Sequence, residues 1–287
     1  MSAVPSPVAG SLRIATKSGL PPWLVAAAKR LAATLTGFAL LLILWSVAAV
    51  FSVDTSDPAA PRQLLPGPTE TLGVLWELLR NPFYDNGPND KGIGLQALYS
   101  LGRVFQGWGI GLLIAVPLGL ALGAIPLASA VLNPVIQTLR PVSPLAWFPI
   151  GLTVLQSSPK ATVFVIVITS LWPTLINTLY GVASIPDDYR NVSRVFKFSP
   201  SKYVLKVLLP YAVPHILTGM RLSMGIAWLV IVAAEMLAGG TGIGYYIWDS
   251  YNAGSLTRVL AGILVIGFIG LLLDRAFDLI SRKLSYA

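Results

Sequence analysis

Arg103, Arg140, Arg221 and Glu235 stand within or beside long apolar runs of a 287-residue chain in which only 11% of residues are charged. A charge at the centre of a membrane helix costs about 2.5–3.5 kcal/mol on insertion scales unless it is paired or wetted, so each needs a reason to be there. Three arginines against one glutamate leave an excess of positive charge, which in a low-dielectric corridor attracts anions and repels cations. The planar guanidinium fork also suits a planar oxyanion. Arg140 precedes Pro141 and Pro144, which interrupt the backbone. Irregular backbone at membrane depth is tolerated only where it is buried in protein or lines a cavity. Arg140 therefore either plugs freed carbonyls or contacts an anion on a pathway. Arg221, shortly after Pro210, reads as a pathway arginine or as the anchor of one end of its span. Arg103 reads as an interfacial arginine reaching for water, or as the partner of Glu235.

Other chemistries find no residues. The chain has no cysteine and a single histidine, His215, so thiolate and His-cluster metal sites are excluded. Ala15-Thr16-Lys17-Ser18 lacks both glycines of a phosphate-binding loop, so no nucleotide site of that type is expected. No catalytic constellation is present. The net charge of +8 does not imply nucleic acid. Its bases concentrate in an N-terminal arm, one central loop and a C-terminal tail, where membrane topology accounts for them.

The elements that must hold these residues are membrane helices. Hydrophobic residues make up 55% of the chain and mean hydropathy is +0.72. Soluble domains carry about 25% charged residues. Residues 1–31 read as a cytoplasmic disordered arm followed by an interfacial elbow helix opened by Pro21-Pro22-Trp23. Residues 32–285 then form a six-span domain. The run 32–53 is long enough to cross a bilayer and too long for a signal core. Residues 54–95 carry six acids and three bases between Asp54 and Lys91 and read as an outer loop containing a helix at about 69–80. The uncharged run from Val104 to Leu139 exceeds one span and must hold parts of two, with Pro126, Ser129 and Asn133-Pro134 marking the turn. Gly107/Gly111 and Gly119/Gly123 have the spacing that lets helices approach closely, and packing within the chain is favoured over a dimer seam. Later spans fall at 161–181, about 213–237 and about 257–280. Both termini are then cytoplasmic.

Between the fourth and fifth spans lies the most charged stretch, residues 186–210, with Arg190, Arg194, Lys197, Lys202 and Lys206. A basic loop between two spans should be cytoplasmic. Asp187 and Asp188 complement the positive end of a short helix after Pro186. Phe196, Phe198 and Tyr203 give it an aromatic face that needs a partner, and Leu209-Pro210 leads into the next span.

This loop resembles that of the membrane permease subunits of binding-protein-dependent, ATP-driven (ABC) importers. That family carries a Glu-Ala-Ala triplet, then a glycine, then Leu-Pro. Here the triplet falls on Asn191-Val192-Ser193, the glycine on Lys197, and Leu-Pro on Leu209-Pro210. The segments LRPVSPLAWFPIGL (139–152), NTLYGVASIPDDYR (177–190), GMRLSMGIAWLVIVAAEML (219–237) and GTGIGYYIWDSY (240–251) are similar to the nitrate, sulfonate and taurine branch. The outer insertion resembles that of cyanobacterial-type nitrate and bicarbonate permeases.

The resemblance implies an all-α membrane protein with six transmembrane helices and the type I ABC importer permease fold, in the inner (plasma) membrane. It implies a homodimer, two cytoplasmic ATP-binding subunits that supply the hydrolysis, and an external solute-binding protein or lipoprotein. No cofactor is expected in the permease itself, ATP being bound by its partners. Asp188, Arg190, Arg194, Phe196, Phe198, Leu209 and Pro210 are the expected coupling residues, and Arg140, Arg221, Glu235 and Arg103 the expected pathway residues. Nitrate with nitrite leads as cargo, ahead of bicarbonate and then sulfonates or cyanate. A stand-alone secondary transporter is the rival class; it should show inverted repeats and matching broken helices.

Overall fold

A computed structural model describes residues 21–54, 62–88 and 90–285. The expected disordered arm at 1–20 lies outside the described residues. The chain divides into two compact units, Met1–Pro68 and Thr69–Ala287.

In the first unit, α1 runs unbroken over Pro22–Phe51. The expected elbow and first span are one helix, because beyond Pro22 no proline interrupts it and Gly37 alone does not break a helix in an apolar setting. Most of its apolar side chains are exposed, as a lipid-facing span requires. After it, β1 (Val53–Asp54) pairs antiparallel with β2 (Arg62–Gln63). Trp45 Nε1 donates to the Pro66 carbonyl at 3.0 Å, tying the returning strand to α1.

The second unit opens with α2 (Pro68–Arg80), close to the expected 69–80. Its other helices are α3 (Ile93–Ala124), α4 (Pro126–Leu139), α5 (Phe148–Leu155), α6 (Ser158–Ala183), α7 (Asp187–Val195), α8 (Pro200–Tyr203), α9 (Leu209–Ala238), α10 (Ile243–Asn252) and α11 (Leu256–Ser285). Among the described residues, five stretches are long and apolar enough to cross a membrane: α1, α3, α6, the α8–α9 continuum and α11.

The direction of packing supplies the remaining crossing. A Cβ on Gly107 would meet Ile166 Cβ at 2.7 Å, one on Gly119 would meet Thr178 Cβ at 2.6 Å, and one on Gly123 would meet Val182. Numbers rise together, so α3 and α6 run parallel. The chain between them must therefore recross the bilayer. It does so as a broken segment: α4, a 3-10 turn at Pro144–Trp147, and α5. Pro141, Pro144 and Pro149 remove backbone donors, which is why the third span is not one helix. The turn before α4 comes at Ile125–Pro126; Asn133-Pro134 sits inside α4 instead, Thr138 Oγ1 donating to the Pro134 carbonyl at 2.9 Å.

The glycine ridge of α3 is packed within the chain, as expected. By contrast α9 runs antiparallel to α6, with Gly219 against Thr174 and Asn177 and Gly181 against His215. It is antiparallel to α11 as well, where Trp228 Nε1 donates to the Ile266 carbonyl at 3.1 Å and Arg221 meets Asp274. Loop 184–208 and the end of α11 hence share one membrane face. Loops 81–92 and 239–255 share the other.

Candidate functional site

Asn133, Ile136, Gln137 and Arg140 follow one another at i, i+3, i+4 and i+7, the spacing of one helix face. They form one wall of a cavity of about 480 Å³, and Ile176, Leu179 and Tyr180 of α6 form the other. Arg140 caps the C-terminal end of α4 at the point where the backbone leaves helical geometry, its own N–H still bonded to the Ile136 carbonyl. Its side chain is exposed and has no hydrogen-bond or ion-pair partner among the described residues. The guanidinium therefore plugs no freed carbonyl in this structure. Asn133 and Gln137 were missed by sequence reasoning, although their spacing from Arg140 places them on its face.

Glu235 is fully buried and Arg103 is its partner, Nη1 to Oε1 at 2.6 Å. Ser100 Oγ donates to the other carboxylate oxygen at 2.7 Å, and the Gly244 N–H reaches it at 3.1 Å. Arg103 also donates to the carbonyl and the hydroxyl of Thr241, each at 2.6 Å. Gly242 N–H donates to Gln96 Oε1 at 2.6 Å and Ile243 N–H to Ser100 Oγ at 2.8 Å. The first backbone donors of α10, which the helix itself leaves unpaired, are thus taken by side chains of α3 and α9. Gly239, Gly240 and Gly242 have φ of 71°, 90° and 120°, the region that side-chain-bearing residues avoid. The whole arrangement staples the 239–244 loop, and Arg103 gives it three hydrogen bonds, one to Glu235 and two to Thr241.

Arg221 is held by α11. Its Nε and Nη2 grip Asp274 at 2.9 and 3.0 Å, and Nη1 lies 3.4 Å from Asp278. Asp278 in turn accepts from Arg282 at 3.0 Å. The positive excess expected from Arg103, Arg140 and Arg221 against Glu235 omitted these two acids, which stand in the last apolar run. With them, Arg140 is the one unpaired member of the four. They fall at three separate places, Glu235 with Arg103, and Arg140, Arg221 and Arg103 each line a different cavity.

In the 184–208 loop, α7 starts after Pro186 with Asp187 and Asp188 in its first turn. Tyr189, Val192, Val195 and Phe196 are exposed along one side, Phe196 at 70%. Phe198 and Tyr203 line a cavity, with the Phe198 ring centred 6.4 Å from that of Phe196, so the exposed apolar face includes Phe196 of the expected aromatic trio and adds Tyr189, Val192 and Val195. Lys202 Nζ sits 4.3 Å over the Phe198 ring. Lys197, at the family's glycine position, has φ of 49°. Val204–Leu208 widens into a π-helical turn before Leu209 and Pro210 open α9. Pro210 has no N–H to give the Lys206 carbonyl, and the wider turn accommodates the loss.

On the opposite face, the loop after α2 is closed by an ion pair between Asp85 and Lys91, whose hydrogen bond holds the Asp85 carboxyl below its ordinary pKa. Burial, then the Asp90 carboxylate, push the neighbouring Tyr84 hydroxyl upward.

Residues 111–286 match the family described as binding-protein-dependent transport system inner membrane component. The chain is 44% identical over 237 residues to the nitrate import permease protein NrtB of Synechocystis sp., covering 83% of each chain. It is 46% identical to the bicarbonate transport system permease protein CmpB of the same organism, covering 72% of this chain and 75% of that one. A solved structure of the MetNI methionine ABC transporter in an inward-facing conformation superposes with a TM-score of 0.58 at 18% identity, over 67% of this chain and 95% of that one. That likeness is one of fold, the type I ABC permease. This chain belongs to the inner-membrane components of binding-protein-dependent transport systems: it is a multi-pass permease subunit of an ABC importer, a family that works with substrate-binding and ATP-binding partners.

Proposed function

We propose that the protein forms the translocation pathway for a small planar oxyanion, nitrate first and bicarbonate second, and that Arg140 is its principal anion contact. The observation that carries the reading is the unpaired guanidinium of Arg140 on a polar face of α4, beside a cavity of about 480 Å³. Asn133 and Gln137 extend that face with amide donors. Kinship to NrtB and CmpB permeases supports the same pair of cargoes, since both anions are planar and singly charged. Gln137 and Arg140 on that face of α4 are exposed in the single chain, which supports a dimer in which a second copy closes the corridor. ATP is bound and hydrolysed by two separate subunits docked on the cytoplasmic 186–210 loop, and an external solute-binding protein or lipoprotein delivers the anion. Rigid-body rocking of the two copies alternates access.

The test is the assembled transporter in vesicles, with ATP hydrolysis and anion uptake measured separately. Wild type should take up labelled nitrate on ATP addition. Arg140→Gln should lose uptake by about tenfold or more, the scale of one charge-assisted hydrogen bond, while assembly and ATP hydrolysis persist. Normal nitrate and bicarbonate uptake by Arg140→Gln removes the pathway role, and uptake of bicarbonate alone by wild type reverses the order of cargoes.

A further inference from the structure

The side of α7 that faces away from Tyr189, Val192 and Phe196 is basic. Arg190, Arg194 and Lys197 line a second cavity of about 480 Å³, closed by Ala124 at the end of α3, Val182 at the end of α6, and Tyr203. No acidic residue lines it, and none of the three cations makes an ion pair among the described residues. Arg190 Nε is buried without any hydrogen-bond partner. Buried polar atoms almost always have one, so an acceptor belongs there. Lys197 adds a second, independent sign. It occupies the left-handed region at φ 49°, which disfavours a side chain and costs glycine nothing. Strain kept at one residue points to a use for its side chain.

The location selects the occupant. Ala124 and Val182 are the ends of two membrane helices, so the cavity opens where the bilayer surface meets the loop. Its volume is that of an ordinary ligand pocket. Two arginines and a lysine line this one cavity, the residue types that suit phosphate oxygens, and basic pockets between membrane helices recognise phospholipid headgroups.

We propose that the Arg190–Arg194–Lys197 cavity is a phosphate-binding site, filled by the headgroup of an anionic phospholipid or by free phosphate, that couples membrane composition or anion level to the loop. The proposal is independent of the Arg140 pathway. Its test uses the full chain, purified in neutral detergent and in phosphatidylcholine vesicles with or without phosphatidylglycerol. Thermal unfolding and binding are followed at constant ionic strength. Phosphatidylglycerol or inorganic phosphate should raise the unfolding midpoint of wild type; a response to the lipid alone identifies the headgroup, and a response to phosphate in phosphatidylcholine identifies the free anion. Lys197→Gly should bind about tenfold more weakly while its ligand-free midpoint is no lower than wild type's, because glycine relieves the backbone. That combination cannot come from misfolding. Arg190→Gln should bind more weakly too, and Lys206→Gln, which leaves the cavity lining intact, should bind normally. The proposal fails if Lys197→Gly and Arg190→Gln respond as wild type does, or if Lys206→Gln is weakened equally. It fails as well if neither ligand shifts wild type, including the case in which the three cations are needed only to retain an ATP-binding subunit.

Discussion

Glu235 shows what a charge inside the membrane requires. Its carboxylate has three donors, one of them the Arg103 guanidinium, so removing either ion leaves the other stranded. Breaking such a pair costs about 3–5 kcal/mol, whereas replacing both members by apolar groups of similar size is often close to neutral. Glu235→Ala should therefore destabilise the permease by about that amount. The double replacement Arg103→Leu with Glu235→Leu should be less damaging than the sum of its singles. Thermal unfolding in detergent measures both, and strict additivity would show that the pair is not coupled. The partnership was visible in the sequence only as two opposite charges at compatible depths. The contacts of Ser100, Gln96 and Thr241 were not, because a serine or a glutamine in an apolar run carries no mark of which long-range backbone group it will meet. Arg221 illustrates the opposite failure. Asp274 and Asp278 stand in the open sequence, one turn apart, and a complete count of charges in the last apolar run finds its partners.

At the level of elements, the helices were legible where period and punctuation agreed. Proline and glycine marked the ends of α2, α4 and α7, and the α3 ridge of Gly107, Gly111, Gly119 and Gly123 announced a close helix contact whose partner, α6, only the fold reveals. The orientation of α7 was not legible. Its exposed side is opposite Ser193, which is buried, and that burial is a tertiary fact that no local propensity encodes. This division of faces predicts a separation of effects. Phe196→Asp places a charge on the exposed apolar side and should uncouple or release the ATP-binding subunit while the permease inserts and folds normally. An exposed aromatic anchor at an interface is worth about 2 kcal/mol or more. Uptake and subunit co-purification check it, and normal coupling would remove Phe196 from the docking surface.

For the molecule as a whole, the parallel course of α3 and α6 and the antiparallel course of α6, α9 and α11 assign loop 81–92 and loop 184–208 to opposite faces. From charge balance we propose that the first lies outside and the second in the cytoplasm. With no native cysteine to interfere, single cysteines at Asn86 and Ser201 report sidedness directly. A membrane-impermeant thiol reagent should label Asn86→Cys in intact cells and Ser201→Cys only after lysis; labelling of both in intact cells would break the topology. The broken crossing at 126–155 carries one more consequence, for biogenesis. A chain made from its N terminus presents this segment to the bilayer before α6 exists. Neither α4, at 14 residues, nor α5, at 8, reaches the roughly 20 that lipid alone retains. Its place across the membrane is therefore conferred by a helix synthesised later. In chains truncated after Ser157, a cysteine replacing Gln156 should stay open to an impermeant thiol reagent from the side of loop 184–208, and in chains extended through Ala183 it should be protected from that side.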